Sequence, residues 1–239
     1  MTAIDNLLPE TRHRPFDLPK GKWIYYQEWN NALFLHWKIP FEIIRELLPD
    51  QLHIDTFDGN AYVSMVAFTM EKIRPRYLPS INYISNFDEI NLRTYVKKEN
   101  KQGVYFLNIE AANYLSTLIA RQLSGLPYEQ ADMSRTATTY QSQNTKKGFY
   151  LNIGFEIEGL LPSKTELDKW LTERYCLYIE IDKTFYRYDI HHEEWDIKNV
   201  KLNSLDLKYA IKDLRLTNKP DLMHYSNGVK VIAWKKTRV

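Results

Sequence analysis

The segment FDEINLRTYV, residues 87–96, alternates its side chains with the period of a β-strand and predicts a strand with two different faces. One face carries polar groups, namely Glu89, Asn91, Arg93 and Tyr95. The opposite face carries Leu92, Thr94 and Val96. Two interpretations of the polar face stay open: it is exposed to solvent, or it points into a barrel and lines a cavity. In the second case a guanidinium would offer a bidentate fork to a carboxylate ligand.

Neighbouring segments repeat the strand pattern at the intervals of a hairpin-connected sheet. The chain of 239 residues holds 17 Tyr and 6 Trp, and aromatic side chains favour strands. Loop 99–103, between predicted strands 87–98 and 104–110, has a hairpin length. Further strands are predicted at 23–39 with a turn at Asn30-Asn31, 61–70, 132–142, 148–158, 175–182, 184–190, 222–225 and, after a turn at Asn227-Gly228, 229–234. This pattern predicts a mainly β or α+β fold with an antiparallel sheet or barrel, not a parallel βαβ fold.

Three or four helices are predicted on the outside of the sheet. One lies between Pro40 and Pro49, because proline is tolerated at the first helical position and stops a helix later. The clearest covers 113–124, whose leucines and isoleucine share one face. Another covers 163–173 and begins with the capping-box sequence SKTE at 163–166. The last is indicated by apolar residues at helical spacing in 207–214.

Composition limits the organisation of the chain and its partners. Residues 1–21 contain three prolines and predict an extended N-terminal arm, while residues 22–239 show no linker and predict one domain. The net charge of +2 and the lack of a long Lys/Arg run argue against nucleic acid as a partner. No signal-peptide core and no apolar stretch of about 18 residues occur, so no membrane partner is expected. The single cysteine suits a reducing compartment, and the predicted location is the cytoplasm. Formation of a homo-oligomer is left open.

Common catalytic and cofactor motifs are missing. The sequence contains no GxGxxG, no GxxxxGK[ST] and no GxSxG, so neither a phosphate-binding loop nor a serine nucleophile elbow is predicted. Cys176 lies in a predicted strand and is interpreted as a buried structural residue. His191 and His192 are adjacent on a strand and would point to opposite faces, which separates their rings. Neither a metal site nor a cofactor is therefore predicted.

Eight segments, taken in chain order, resemble a known family. They are LFLHW (33–37) with Ile39-Pro40, LLP (47–49), DTFDG (55–59), residues 87–96, Ala120-Arg121 with LPY (126–128) and Ala131, LTERYCLY (171–178), Ile190-His191-His192 with Trp195, and HYS (224–226). Over roughly residues 22–235 they resemble the YqjF-like bacterial family, a domain of unknown function. That family looks like a branch of the acetoacetate decarboxylase-like superfamily. The resemblance implies a cone-shaped antiparallel β-barrel with outer helices and an inner pocket.

The resemblance does not extend to the imine chemistry of the decarboxylase. That enzyme uses a Schiff-base lysine beside a second lysine, and the pair follows a Gly-aromatic-Pro turn. The matching turn, Gly125-Leu126-Pro127, is followed here by Tyr128 and Glu129, and no lysine occurs between residues 102 and 145. The resemblance implies that Glu89 matches the catalytic glutamate of the decarboxylase, whereas the decarboxylase's arginine near the first barrel strand has no counterpart in residues 34–37. Arg93 or Arg121 is the conjectured replacement.

Three functions stay open on these residues. The first is an enzyme without a Schiff-base lysine that acts on a small carbonyl or carboxylate compound. Glu89 or Glu129 would be its acid/base, Tyr128 a hydrogen-bond donor, and Arg93 or Arg121 the anion-binding group. Asn91, Tyr95, His36 and His191 are further candidate ligand-binding residues. The second is a non-catalytic small-ligand binding protein. The third is a structural or interaction protein with a vestigial pocket, for which a barrel filled by side chains is expected.

Overall fold

Strands dominate the computed structural model, which describes residues 3–81, 85–112 and 125–239. Its helices are α1 (Ala3–Leu7), α2 (Phe41–Leu47) and α3 (Glu166–Thr172). Its strands are β1 (Tyr25–Ile39), β2 (His53–Ile54), β3 (Ala61–Pro75), β4 (Phe87–Lys98), β5 (Lys101–Ala111), β6 (Tyr128–Gln130), β7 (Asp132–Arg135), β8 (Thr139–Asn144), β9 (Phe149–Leu160), β10 (Cys176–Ile181), β11 (Thr184–His192), β12 (Ile197–Ile211), β13 (Leu214–Leu216), β14 (Leu222–Ala233) and β15 (Thr237–Arg238). None of these helices is long and apolar enough to cross a membrane. The predicted helix 113–124 lies outside the described residues.

Seven of the described strands close into a ring. Their order is β14, β1, β3, β4, β5, β10 and β11, and β11 then pairs back onto β14 at Ile190 to His192. Neighbours in the ring are antiparallel except for β5 and β10, which run parallel. The expected antiparallel barrel is confirmed, with one parallel junction.

A second layer of strands covers one side of this barrel. β12 pairs with β14 at Ile197 to Asn199 and continues the sheet through β9, β8 and β7. Apolar side chains of the two layers share the largest core cluster, which includes Leu33, Leu35, Met65, Ile90, Leu92, Phe155, Leu207 and Tyr209. Each such side chain stabilises the fold by about 1.5–3 kcal/mol when fully buried.

This packing buries both faces of β4. Ile90 and Leu92 lie in the core between the layers, whereas Glu89, Asn91 and Arg93 line the interior of the barrel. The polar face of residues 87–96 therefore points inward, as the second interpretation of that segment expected. The second layer makes this arrangement possible, because its buried side chains remove the opposite face of β4 from water.

Two predicted turns are wrong and lie inside continuous strands. β1 runs through Asn30-Asn31, and β14 runs through Asn227-Gly228. The two sites lie side by side, since Asn30 is paired with Gly228. Asn31 has a φ of 53°, and the β1–β3 pairing shifts its register next to it. These residues therefore form a bulge that bends the strand and does not reverse it.

The predicted helix at 207–214 is also wrong. Its first residues belong to β12, and a turn at Lys212 leads into β13. Leu207 and Tyr209 are buried, whereas Lys208 between them is exposed. The side chains thus follow the period of a strand. A short apolar run fits both periods, and the predicted helix left Tyr209 out of its apolar face.

The two remaining helix predictions are confirmed with adjusted bounds. α2 lies between the two prolines, as predicted. α3 begins two residues later than the predicted capping box: Thr165 Oγ1 accepts the Asp168 N–H, and the Asp168 carboxylate accepts the Thr165 N–H at 2.8 Å. The cap uses Asp at the third helical position, whereas the predicted capping box relied on the Glu three residues after Ser163.

The N-terminal residues are attached to the outside of the barrel. α1, which the sequence did not predict, places the Leu7 carbonyl 2.8 Å from Nε2 of His191. The Arg14 guanidinium donates to the Ile190 carbonyl at 2.8 Å. Leu7 also packs with Trp23 and Trp234 in a small apolar cluster. Side-chain and backbone contacts therefore bind this segment to β11 and β14.

Replacing Gly228 with Ala is expected to destabilise the fold by about 1–3 kcal/mol. Gly228 has a φ of 139°, and an added Cβ would lie 2.6 Å from the Trp29 carbonyl oxygen and closer still to Oδ1 of Asn30. Urea unfolding measures the loss. Gly159→Ala is the matched control, because an added Cβ there meets nothing within 4 Å. Equal stability of the two variants would show that the close β1–β14 approach tolerates a side chain.

Candidate functional site

The barrel encloses a cavity of about 240 Å³. Its walls come from the inward faces of β1, β3, β4, β5, β10 and β11, together with residues after α3 and after β11. Ligand pockets commonly measure about 300–1,000 Å³, so this cavity suits a small molecule. Most of its lining residues are apolar, and a few polar groups stand among them.

Aromatic rings form a large part of the wall. Trp29 lies 5.8 Å from Phe68 and 6.2 Å from Trp195, measured between ring centroids. Phe34 meets Trp195 edge-on at 5.1 Å. These rings line the cavity and offer flat apolar surfaces to an unsaturated or aliphatic part of a ligand.

Glu89 and Tyr128 form a buried pair inside the cavity. The Tyr128 hydroxyl donates to Oε2 of Glu89 at 3.0 Å, and Glu89 is only 3% exposed. Burial raises the pKa of Glu89 to about 7, although hydrogen bonds from Tyr128 and Asn91 lower it. Burial and the nearby Glu89 raise the pKa of Tyr128 well above 10, so Tyr128 stays a neutral donor. A carboxyl that titrates near neutral pH in a water-poor pocket is suited to acid/base chemistry.

Two guanidinium groups stand at the end of the cavity that adjoins α3. Arg174 is paired with Asp55, with NH1 2.6 Å from Oδ2. Arg93 has no carboxylate within ion-pair distance in the described part of the chain, and its NH2 donates to the Leu171 carbonyl at 3.3 Å. Both guanidiniums face the Tyr95 ring, at 6.0 Å for Arg93 and 4.8 Å for Arg174. With two cations and one carboxylate, this end of the cavity carries an excess positive charge.

Unmet hydrogen-bonding atoms are concentrated at this cavity. Among the described residues, seven buried side-chain nitrogen or oxygen atoms have no partner, and five of them belong to cavity-lining residues. The five are Trp29 Nε1, Arg74 NH1, Asn91 Oδ1, Arg93 Nε and Arg174 NH2. Buried polar groups without partners are rare and costly in folded proteins. Four donors and one acceptor around one cavity are therefore groups that a polar ligand could satisfy.

Four of the predicted site residues lie elsewhere. Tyr95 and His36 are fully buried near the end of the cavity that adjoins α3. Both contact Ser64, and neither lines the cavity wall. His191 points outward to the N-terminal residues, with Nδ1 3.2 Å from NH1 of Arg14. Glu129 also points away from the cavity and pairs with Lys147 at 3.1 Å. None of these four side chains lines this cavity, and a role of theirs in binding a ligand stays a prediction. Arg121 lies outside the described residues.

Alternation along the strands explains these exclusions. Glu129 follows the inward-facing Tyr128 in β6, and His191 precedes the inward-facing His192 in β11. Adjacent strand residues point to opposite faces, as the sequence predicted for the two histidines. His192 contacts the Glu193 and Arg174 carbonyls at 2.6 and 3.3 Å, and burial lowers its pKa to about 4.

Several cavity residues were not predicted. Arg174 lies within the family segment 171–178, but nothing in the sequence paired it with Asp55, 119 positions away. From the sequence, Trp29, Trp195 and His192 were assigned only to a predicted strand or a family motif, not to a cavity. Alternation could have assigned His192 to the face opposite His191, whereas long-range pairing is visible only in the folded chain.

Lysine and metal-ligand clusters are missing from this site. No lysine lines the cavity among the residues that the structure describes. Within those same residues, no group of three or more His, Cys, Asp or Glu side chains could hold a metal ion. Cys176 lines the cavity and is 1% exposed, and burial raises its pKa to about 12, which leaves a protonated thiol.

Comparison with known sequences identifies relatives along almost the whole chain. Residues 26–230 match the family model DUF2071, described as an uncharacterized conserved protein. The uncharacterized protein YqjF of Bacillus subtilis (strain 168) is 36% identical, and the match covers 93% of this chain and 96% of that protein.

Solved structures share the fold at low sequence identity. An acetoacetate decarboxylase from Legionella pneumophila has a TM-score of 0.61 at 10% identity, covering 100% of this chain and 96% of that chain. An acetoacetate decarboxylase-like enzyme from Sphingomonas wittichii RW1 has a TM-score of 0.59 at 12% identity, covering 94% and 97%. The enduracididine biosynthesis enzyme MppR, complexed with pyruvate, has a TM-score of 0.59 at 8% identity, covering 94% and 93%. The acetoacetate decarboxylase-like fold expected from the sequence is confirmed.

Replacing Glu89 with Gln is expected to stabilise the protein at alkaline pH. The folded pKa of Glu89 is about 7, above the roughly 4.3 of an unfolded glutamate. Between these pH values the unfolded chain loses its proton first, so the natural protein loses stability as pH rises, by about 4 kcal/mol in total. Urea unfolding at about pH 5 and pH 8 should therefore show a growing advantage of E89Q with pH.

Glu129→Gln is the matched control for this prediction. Although burial raises the pKa of Glu129, contacts with Lys147 and Asn144 lower it below the ordinary value. Its replacement should therefore lose stability relative to the natural protein at alkaline pH. A pH-independent effect of E89Q would contradict the raised pKa of Glu89.

Proposed function

The chain belongs to the DUF2071 family of uncharacterized conserved proteins, and on this premise we propose that its barrel binds a small carboxylate or carbonyl compound and moves a proton on it through Glu89. One observation carries the proposal: five of the seven unmet polar atoms of the described residues lie around the cavity, and three of these five belong to arginines. The proposal concerns a pocket function and requires no cofactor.

The anionic part of the ligand is assigned to the Arg93 end. Arg93 and Arg174 are 8% and 5% exposed, so their charges are held largely away from water. Asp55 neutralises Arg174, which leaves the charge of Arg93 uncompensated within the described residues. A ligand carboxylate would supply the missing anion and accept from Arg93 Nε and Arg174 NH2.

Proton transfer is assigned to Glu89. Its pKa of about 7 allows either protonation state near neutral pH, and Tyr128 holds its Oε2 in a fixed orientation. In the carboxylate form Glu89 would accept a proton from a carbon next to a carbonyl group, and in the acid form it would return one. General acid/base catalysis of this kind contributes about 10²–10⁴-fold to a rate.

An imine mechanism is not part of the proposal. Tyr128 stands in the cavity at the position that the resemblance assigns to the lysine pair of the decarboxylase, and a phenol cannot form an imine. The related fold of MppR is known in complex with pyruvate, which supports a small oxo acid as the ligand class without assigning the same reaction.

A non-catalytic binding protein is the second candidate. The aromatic wall of Trp29, Phe34, Phe68 and Trp195 favours this alternative, because rings bind a ligand without chemistry. A barrel filled by side chains was the expectation for a structural protein, and the cavity of about 240 Å³ does not support it.

Replacing Arg93 with Met is expected to weaken the binding of phenylpyruvate by at least about tenfold. Phenylpyruvate combines a carboxylate for Arg93 with a ring for the aromatic wall, and loss of a buried charge-assisted contact costs roughly 2–5 kcal/mol. Isothermal titration calorimetry measures the affinity. Arg12→Met removes the same charge from an exposed arginine and should bind normally. Equal affinity of both variants, or no binding by the natural protein, would argue against the anion site.

Glu89 is expected to catalyse exchange of the phenylpyruvate protons next to the ketone. In heavy water, proton NMR should show deuterium entering this position at least about tenfold faster with the protein than without it, and E89Q should lose the acceleration. E129Q, which changes a carboxylate outside the cavity, should keep it. Binding without accelerated exchange would reject the enzyme and favour the binding protein.

A further inference from the structure

A continuous hydrogen-bonded chain of side chains lies beside the end of the cavity that contains Arg93. It runs from Asp168 Oδ1 to His224 (3.0 Å), His36 (3.2 Å), Ser64 Oγ (2.5 Å), Tyr95 OH (2.5 Å) and the Leu171 carbonyl (2.9 Å). The side chains of the chain are buried, with exposures of 4% or less. It crosses from α3 through β14, β1, β3 and β4 and returns to the end of α3.

This chain adjoins the proposed anion site. His36 is paired with Ser64, and Ser64 with Arg93, so the three residues are neighbours across β1, β3 and β4. Adjacent strands are about 4.8 Å apart. Tyr95 and Arg93 also donate to the same acceptor, the Leu171 carbonyl. An anion bound at Arg93 would therefore interact electrostatically with His36 and the rest of the hydrogen-bonded chain at short range.

The hydrogen-bonded chain has one hydrogen fewer than it has contacts. It has five contacts, from Asp168 to the Leu171 carbonyl. Its two ends, a carboxylate oxygen and a carbonyl oxygen, supply no hydrogen. A neutral histidine has one N–H, and Ser and Tyr have one O–H each, so the four intervening side chains supply four hydrogens. One contact must then bring two lone pairs together, unless the histidine pair takes up a proton.

We propose that binding of an anion at Arg93 is coupled to the uptake of one proton by the His224–His36 pair. With that proton, each of the five contacts holds one hydrogen: His224 donates from both nitrogens, His36 donates to Ser64, Ser64 to Tyr95, and Tyr95 to Leu171. The inference rests on the proposed anion site, and it adds a proton to the binding reaction.

The surrounding charges explain why uptake awaits the anion. Burial, with His224 and Arg93 nearby, lowers the pKa of His36 well below 6.5. Burial also lowers the pKa of His224, although Asp168 raises it, and Lys164 adds a second cation near the helix. The other carboxylate oxygen of Asp168, Oδ2, accepts hydrogen bonds from the N–H and the hydroxyl of Thr165. An anion beside Arg93 would offset the positive charge that faces the pair and raise its affinity for a proton.

The sign of the pH dependence follows from this coupling. The complex binds more protons than the free protein, so anion affinity must rise as pH falls through the pKa of the bound pair. Glu89 and His192 also line the cavity and are titratable. Glu89 titrates near neutral pH, so the experiment must remove its contribution.

Calorimetry of benzenesulfonate binding to E89Q tests the coupling. Sulfonates stay ionised across the range. Titrations in imidazole and Bis-Tris buffers, which are cationic and do not compete for the anion site, give the number of protons taken up because their ionisation enthalpies differ. We expect uptake that approaches one proton between about pH 5.5 and pH 7. In E89Q/H224Q the uptake should vanish, whereas E89Q/H53Q, altered at an exposed histidine off the chain, should keep it.

Nitrogen-15 NMR of the histidine rings in E89Q provides a second measurement, in which no residue of the hydrogen-bonded chain is replaced. Addition of benzenesulfonate should leave His224 with hydrogens on both ring nitrogens. Binding without proton uptake, or uptake that persists in E89Q/H224Q, would overturn the coupling and leave the anion site intact. Failure of benzenesulfonate to bind at all would reject the anion site and the coupling together.

Discussion

The burial of both faces of β4 is the constraint on which the rest of the structure depends. Ile90 and Leu92 can leave water only because the second layer of strands covers the outside of the barrel. That coverage supplies much of the apolar stabilisation and leaves the inner face of β4 free to carry Glu89, Asn91 and Arg93. A barrel stabilised from its interior would need apolar side chains at these positions and would have no room for a polar cavity.

Charge compensation divides the polar residues of the barrel into structural and functional groups. Arg174 and Asp55 neutralise each other at 2.6 Å and connect the segment after α3 to the end of β2. Glu110 is also buried, but Asn108, Asn144 and Tyr209 donate to it outside the cavity. Arg93 lacks a comparable partner in the described residues, although an uncompensated buried charge is costly. The exception coincides with the cavity, which is where a ligand could complete the pairing.

Local patterns predicted the strands and the inward face, and failed where two patterns coincide or where contacts are distant. Residues 87–98 have the same bounds in the sequence and in the structure because their alternation is strong. The segment 207–214 fits both a helix and a strand, and only its pairing with β9 and β13 and its place in the shared core select the strand. Asn30-Asn31 and Asn227-Gly228 have turn chemistry, yet they are paired with each other inside long strands. The partner of Arg174 and the chain from Asp168 to Tyr95 join residues far apart in sequence, which one sequence cannot reveal.

Glu89 and the Arg93 end of the cavity differ in how they can hold a proton. Glu89 is a single buried carboxyl with a neutral donor, Tyr128, so it gains or loses a proton without a compensating charge nearby. The Arg93 end contains a fixed cation, and the neighbouring histidines stay neutral while that cation faces them. Of these two places, the Arg93 end is therefore the one whose charge favours an anion. An anion beside the ionised Glu89 would repel it and force it to take up a proton. Under the proposed function, this difference in charge favours an orientation with the ligand carboxylate at Arg93 and the reactive carbon toward Glu89.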